Sequence, residues 1–92
     1  MWRYIYQKAF LKDLSKIHPK KTRENIENLV FEQIPNLKNP FSYAGLEAMQ
    51  GYRDFYKIRV GNFRVGIWID QQFQQVEFQR VLHRKDIYRY FP

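Results

Sequence analysis

The sequence contains no cysteine and only two histidines, His18 and His83, among its 92 residues. A disulfide framework, a thiolate metal site and a histidine-rich metal site are therefore excluded. No apolar run approaches the length of a membrane-spanning helix or of the apolar core of a secretory signal. These absences favour a protein of the reducing cytoplasm that binds no metal, uses no cofactor and does not associate with membranes.

Acidic residues are also scarce relative to basic ones. Nine Asp and Glu residues stand against sixteen Lys and Arg residues, which gives a formal net charge of +7 at pH 7 and an isoelectric point of about 9.8. This balance favours a polyanionic partner, either nucleic acid or an acidic protein. Aromatic residues form 18% of the chain, enough to fill a core and leave rings at the surface. At this length we expect a single domain, residues 1–92.

The segment from residue 55 to residue 69 has the alternation of a β-hairpin. In its first half, Lys57 and Arg59 share one strand face and apolar residues occupy the other. Gly61 and Asn62 supply a two-residue turn, because both tolerate the positive φ that such turns need. In its second half, Arg64 lies opposite an apolar row and on the same face as the other two cations. Because like charges on neighbouring strands repel, an anion is expected among them.

The other elements follow from periodicity and from residues that break it. The predicted order is a strand at 2–7, a helix at 8–17, a helix at 20–34, an ordered loop at 35–49, the hairpin, a strand at 75–82 and a short helical segment at 85–90. His18-Pro19 separates the helices, because a residue before proline avoids the α conformation. These elements predict an α+β fold, with two antiparallel N-terminal helices on one face of a four-stranded, mainly antiparallel sheet. The order is β-α-α-β-β-β plus a short C-terminal helix, and the second sheet face is expected to be open.

A second group of polar residues follows the last predicted strand, in the run HRKDIYRY. Its members His83, Arg84 and Tyr88 are expected to reach the same concavity as the cations of the hairpin. Cations with an interleaved aromatic ring suit single-stranded RNA, because charge holds the backbone and a ring stacks on a base. Such a group can also cleave RNA. Attack of a 2′-hydroxyl on its own 3′-phosphate needs a proton acceptor, a proton donor and positive charge at the phosphorane, but no metal.

Two segments of the chain carry a resemblance to a known family. They are GYRDFYKIRVGNFRVGIWID and VLHRKDIYRYF, which together resemble the C-terminal half of the RelE/ParE superfamily of bacterial toxins. The order of elements over nearly the whole chain agrees with that superfamily. The resemblance to its RelE-like members implies a ribosome-dependent endoribonuclease that cuts mRNA. It also implies a cognate acidic antitoxin, and contact with operator DNA only through the toxin–antitoxin complex.

The resemblance assigns roles by position. Lys57 and Arg59 match the basic pair on the sheet of RelE-like nucleases, Arg64 matches their transition-state arginine, and Tyr88 matches a tyrosine that orients the substrate. Two positions depart from the pattern. Arg59 replaces a lysine and is a poor general base, since the pKa of arginine lies above about 12. Leu82 stands where a proton-donating arginine is expected.

These departures lead us to assign the acid or base role to a neighbour of Leu82. His83 is that candidate, because histidine titrates near neutrality and other members of the superfamily use a C-terminal histidine. Arg84 is a further candidate phosphate contact. The predicted catalytic residues are thus Lys57, Arg64, His83 and Tyr88, and the predicted RNA-phosphate contacts are Lys57, Arg59 and Arg84.

Simpler interpretations exist for each residue. Lys57 and Arg59 can form a solvated strand face, and Arg64 can pair with Glu77 or Asp54. A strand-end histidine can be satisfied by backbone, Tyr88 can pack against the sheet, and Glu47 can be a surface carboxylate or a base folded over the site. Two other functions also remain open: a ParE-like inhibitor of DNA gyrase, and a plain RNA-binding module or decayed toxin. The nuclease hypothesis requires Arg64 and His83 on one wall of the sheet; if they lie apart, an inhibitor is favoured.

Overall fold

The computed structural model describes all 92 residues and contains five strands and three α-helices. In chain order they are β1 (Arg3–Tyr6), α1 (Lys8–Ser15), α2 (Lys20–Asn28), β2 (Leu46–Ala48), β3 (Phe55–Val60), β4 (Phe63–Asp70), β5 (Gln75–His83) and α3 (Ile87–Tyr90). The strands form one sheet in the order β1-β5-β4-β3-β2. Only β1 and β5 are parallel, so the predicted α+β class and the mainly antiparallel sheet are confirmed.

The helical layer forms where the apolar spacing predicts it. In α1, Phe10 and Leu14 are four residues apart and both are buried, as expected for one face of a helix. The chain then breaks at His18-Pro19, and Pro19 directly precedes α2. A π-type turn at Leu29–Gln33 continues α2 and buries Leu29 and Val30. The two predicted helices are therefore confirmed with shorter bounds, and neither is long and apolar enough to cross a membrane.

The main core lies between these helices and one face of the sheet. It contains fourteen buried apolar residues and no buried polar one. Tyr6 closes it at the edge of the sheet, where its hydroxyl donates to the carbonyl oxygen of Val30 at 2.6 Å and its ring stacks on Phe78. Burial raises the pKa of Tyr6 to about 12, with smaller contributions from Tyr4 and Glu32. The phenol therefore stays protonated, and able to donate to the helical layer, even at pH values above the ordinary pKa of tyrosine.

The predicted hairpin is confirmed in detail. β3 and β4 are joined by Gly61 and Asn62, and Gly61 has φ +58°, which glycine adopts without strain. In the register, Arg59 lies opposite Arg64, and Lys57 lies opposite Gly66. Paired residues of antiparallel strands share a face, so the hairpin places all three cations on the side away from the main core.

The prediction of four strands is wrong, because β2 lies inside the segment predicted as a loop. Its three residues pair antiparallel with β3 at the edge of the sheet, and Glu47 lies opposite Lys57. A strand of this length is too short to show alternation, and only Leu46 is partly buried. β2 therefore forms through its pairing with β3, which a local pattern does not reveal.

The second face of the sheet is only partly open, contrary to the expectation. α3 lies across it, and Met49, Ile87 and Phe91 form a small second core there with Phe55 and Leu82. Gly66 makes this packing possible: a Cβ on Gly66 would lie 2.7 Å from the ring of Phe91. The C-terminal helix is thus fixed beside the cations of the hairpin.

Candidate nucleic-acid interface

The remainder of the second face forms a strongly basic cleft of about 520 Å³, which we call the cationic cleft. Five cations, one carboxylate and one phenol line it: Lys57, Arg59, Arg64, Arg84, Lys85, Glu47 and Tyr88. None of the five cations forms a salt bridge, since the ion pairs of the chain are Lys20–Glu24, Arg23–Glu27 and Arg80–Asp13. Such a cluster of unneutralised cations attracts a polyanion.

Arg64 is held in a fixed position within the cleft. Its Nη1 donates to the carbonyl oxygens of Gly61 at 3.0 Å and of Phe63 at 2.9 Å. The predicted alternative, a pair with Glu77 or Asp54, does not form. The remaining guanidinium N–H groups have no acceptor in the chain, so they are free to bind a phosphate in the forked manner typical of arginine.

Lys57 and Tyr88 meet on the other side of the cleft. The ammonium group of Lys57 donates to the hydroxyl of Tyr88 and lies 4.8 Å from the centre of its ring. The Tyr88 side chain is 65% exposed, so it does not serve to fill a core. Its position instead depends on Ile87 and Phe91, the buried residues that flank it in the second core.

Arg84 is brought to the cleft by a backbone contact. Its N–H donates to the carbonyl oxygen of Asn62 at 2.7 Å, which ties the segment after β5 to the turn of the hairpin. Five of the six residues predicted for the site therefore lie together: Lys57, Arg59, Arg64, Arg84 and Tyr88. Lys85 also lines the cleft and was missed, although it belongs to the same basic run.

The prediction that His83 shares this site is wrong. His83 pairs with Phe63, whereas Arg64 pairs with Leu82, and neighbouring residues of a strand point to opposite faces. The imidazole packs edge-on against the ring of Phe63 at 5.8 Å and lines a separate groove beside α1. Its Nδ1 accepts the N–H of Lys85 at 3.2 Å, so the backbone satisfies it.

Glu47 is the only carboxylate in the cationic cleft. The pairing of β2 with β3 places it directly opposite Lys57, yet the two side chains form no salt bridge. Its position in the sequence, shortly before the hairpin, already suggested that its segment could fold over the site. The formation of β2 is the step that brings it there.

Gly66 gives a direct test of the contact that holds the C-terminal helix in the second core. We expect Gly66→Ala to reduce the free energy of unfolding by about 1–3 kcal/mol, because the new methyl group overlaps Phe91. Denaturant unfolding of both single variants and of the double variant with Phe91→Ala measures the coupling. In the Phe91→Ala background the substitution at Gly66 should cost almost nothing. An equal cost in both backgrounds would contradict the contact.

Comparison with known proteins identifies the family. Residues 4–88 match the family described as the ParE toxin of the type II toxin–antitoxin system parDE. The toxin RelE3 of Methanocaldococcus jannaschii is 39% identical over 89 residues, which cover 96% of this chain and 97% of that protein. The fold, the sequence match and this relative agree, and the chain therefore belongs to the RelE/ParE superfamily of type II toxins.

Solved structures of toxin–antitoxin complexes contain chains similar to this one. The RelB–RelE antitoxin–toxin complex from Methanococcus jannaschii matches with a TM-score of 0.77 and 38% identity, over 96% of this chain and 99% of that one. The RelBE2 complex from Mycobacterium tuberculosis matches with a TM-score of 0.70 and 20% identity, over 92% and 93% of the two chains. The first similarity supports the RelE family, and the second shows the shared fold.

Proposed function

We propose that this toxin cleaves mRNA on the ribosome, by attack of a ribose 2′-hydroxyl on the adjacent phosphate. The observation that supports this activity is the cationic cleft, where five cations without carboxylate partners surround a space of about 520 Å³. A phosphodiester that passes through a phosphorane gains negative charge, and fixed cations stabilise that charge more than they stabilise the substrate. The products are a 2′,3′-cyclic phosphate and a free 5′-hydroxyl.

The roles divide according to chemistry. Arg64, fixed at the hairpin turn, stabilises the phosphorane, while Lys57, Arg59 and Arg84 bind the flanking phosphates. Tyr88 orients the nucleotide through its exposed ring. These steps use only side chains of the toxin, and none of them needs a divalent cation.

The position of His83 outside the cleft contradicts the condition on which the nuclease hypothesis first rested, so the proposal now depends on a proton acceptor within the cleft itself. Arginine has no acceptor and does not release its proton, so the three roles above leave the general base unassigned. Glu47 fills that role, since a carboxylate is the one negatively charged acceptor in the cleft and lies opposite Lys57. It takes the 2′-hydroxyl proton, and Lys57 returns a proton to the departing 5′-oxygen.

Variants of Glu47 and of His83 test which of the two residues is the general base. We expect Glu47→Gln to slow the cutting of mRNA on programmed ribosomes by about 100-fold or more, as loss of a general base commonly does. His83→Ala should cut at nearly the wild-type rate, with the same cyclic phosphate at the product end. Primer extension and end-group analysis provide the readouts. A large loss in His83→Ala with full activity in Glu47→Gln would reverse the assignment.

Inhibition of DNA gyrase, without ribonuclease chemistry, is the second candidate. Two observations favour it: the matched family is that of the ParE toxin, and the imidazole lies on the wrong face for a phosphate bound at Arg64. A supercoiling assay with purified gyrase separates the candidates. Inhibition of supercoiling together with intact mRNA on programmed ribosomes would replace the nuclease proposal.

The toxin should act in the cytoplasm and be silenced there by an acidic antitoxin. The relatives described above were solved as toxin–antitoxin complexes, and this chain carries a formal charge of +7. Opposite charges accelerate association at low salt, so the complex should form fastest under those conditions. The toxin itself should reach operator DNA only as part of that complex.

A further inference from the structure

Beside the cationic cleft lies a second hollow of about 390 Å³ that has no role so far. We call it the tyrosine hollow. Its walls are Ala48, Met49, Gln50, Tyr52, Lys57 and Tyr88. Two of these residues, Lys57 and Tyr88, also line the cationic cleft, so the cleft and the hollow share a wall.

Two exposed rings border this hollow. Tyr52 is 55% exposed and Tyr88 is 65% exposed, although large aromatic side chains usually bury most of their surface. Among the aromatic rings, Phe55 alone packs against Tyr52, in an edge-to-face arrangement with the ring centres 6.5 Å apart. Exposed rings next to unpaired cations are the arrangement that proteins use to stack the bases of a single strand while they hold its phosphates.

The segment that carries Tyr52 is held in place by the backbone. The N–H of Met49 donates to the carbonyl oxygen of Phe55 at 2.8 Å, and the N–H of Tyr52 donates to that of Met49 at 3.2 Å. Gly51 turns the chain between them with φ +83°, and no atom lies near its missing side chain. Tyr52 therefore projects from a closed turn and not from a free loop.

The two rings also share one anchor. Met49 is 4% exposed and packs with Ile87 and Phe91, the residues that fix α3 and with it Tyr88. Both sides of the hollow thus rest on the second core, which sets their separation before any ligand binds. Gln50, at the rim, offers an amide with one donor side and one acceptor side, which can pair with the edge of a base.

From this arrangement we propose that the tyrosine hollow is a nucleobase subsite, in which Tyr52 stacks on the base next to the phosphate held at Arg64 and Lys57. Gln50 reads the edge of that base, so the hollow sets the base preference of cleavage. The subsite deepens the proposed ribonuclease function and rests on it for its role in cleavage, but binding of the base can be measured by itself.

A binding experiment tests the subsite without cleavage. The probe is a short, fluorescently labelled 2′-O-methyl RNA, which lacks the nucleophilic hydroxyl. A matched set of probes replaces each base in turn with an abasic residue. We expect Tyr52→Leu to bind the intact probe about tenfold more weakly, as loss of one stacked base does, and Tyr52→Phe to bind it normally. One abasic probe should bind wild type and Tyr52→Leu equally, because the ring then has no base to stack on.

Phe73→Leu is the matched control, since Phe73 is an equally exposed ring, at 66%, in the turn between β4 and β5 and outside both hollows. It should bind the probe like wild type. Equal affinity of Tyr52→Leu and wild type, or an affinity loss of the same size in Phe73→Leu, would overturn the subsite.

A cleavage assay distinguishes failure of the base subsite from failure of the proposed ribonuclease function. If wild type binds the probe through Tyr52 but leaves mRNA on programmed ribosomes intact, the ribonuclease function fails and the base subsite stands. If wild type cuts, Tyr52→Leu and Gln50→Ala should flatten the distribution of cut sites, whereas Phe73→Leu should not. An unchanged distribution in Tyr52→Leu would overturn the subsite and leave the ribonuclease function in place.

Discussion

Replacing Arg64 with alanine should slow mRNA cutting by about 100- to 1,000-fold, which is the usual effect of removing one fixed donor from a developing oxyanion. Two backbone carbonyls hold its guanidinium in place before substrate arrives, so little reorganisation is needed in the transition state. No carboxylate competes for its remaining N–H groups. Single-turnover cutting of mRNA on programmed ribosomes measures the effect on the chemical step.

Two further variants define the cause of this loss. Arg64→Lys keeps the charge but loses the planar fork, so an intermediate rate is expected. Arg3→Ala removes an exposed arginine of β1, which bonds to Gln75 and lies outside the cleft, and it should cut at the wild-type rate. If Arg64→Ala cuts within about threefold of wild type, Arg64 has no part in the transition state.

The cations of the hairpin could be predicted because their geometry is local. A tight turn at Gly61 and Asn62 fixes the register of the two strands, and the period of two then decides which side chains share a face. Lys57, Arg59 and Arg64 follow from these two facts alone. Arg84 and Tyr88 were predicted from their position after the last strand, and the structure brings them to the same cleft.

His83 was misplaced because its segment was expected to lie after the last strand and because a β-bulge within that strand was not foreseen. β5 runs to residue 83 and not to residue 82, and it contains a β-bulge, since Gly66 pairs with Arg80 while Ile67 pairs with Phe78 and Gln79 is left over. The bulge reverses the alternation after Phe78 and turns Val81 and His83 to the face of Val65 and Phe63. Leu82, which precedes it, packs against the second core, and Arg84, which follows it, lines the cationic cleft. Without that bulge, the alternation of Val76 and Phe78 would put His83 on the face of the cations, so its true position depends on a register shift that the sequence pattern does not show.

Glu47 and the tyrosine hollow were not predictable in the same way. β2 has three residues and no alternation to detect, and its place at the edge depends on pairing with β3. The hollow depends on contacts between segments about forty residues apart, since Met49 meets Ile87 and Phe91 in the second core. Such contacts arise from tertiary packing, which local propensity does not contain.

A different long-range contact, at Asp13, stabilises the fold itself. β1 ends at Tyr6 while β5 continues to His83, so the outer edge of β5 lacks a strand partner beyond Phe78. The carboxylate of Asp13, on α1, occupies this position. It accepts the N–H of Val81 at 3.1 Å and two guanidinium bonds from Arg80, at 2.7 and 3.0 Å. Helix α1 is thereby attached to the sheet where strand pairing ends.

We expect Asp13→Ala to lower the free energy of unfolding by about 2–3 kcal/mol, because it leaves the Val81 N–H and the Arg80 guanidinium without their acceptor. The Asp13 side chain is 11% exposed and that of Arg80 is 28% exposed, so water replaces the lost bonds only in part. Asp13→Asn keeps one acceptor oxygen and should lose about half as much. Glu24→Ala breaks the exposed pair with Lys20 and should cost less than about 0.5 kcal/mol. Urea unfolding at neutral pH compares the free energies of unfolding of the three variants. If Asp13→Ala lost no more stability than Glu24→Ala, α1 would be held to β5 by apolar packing alone.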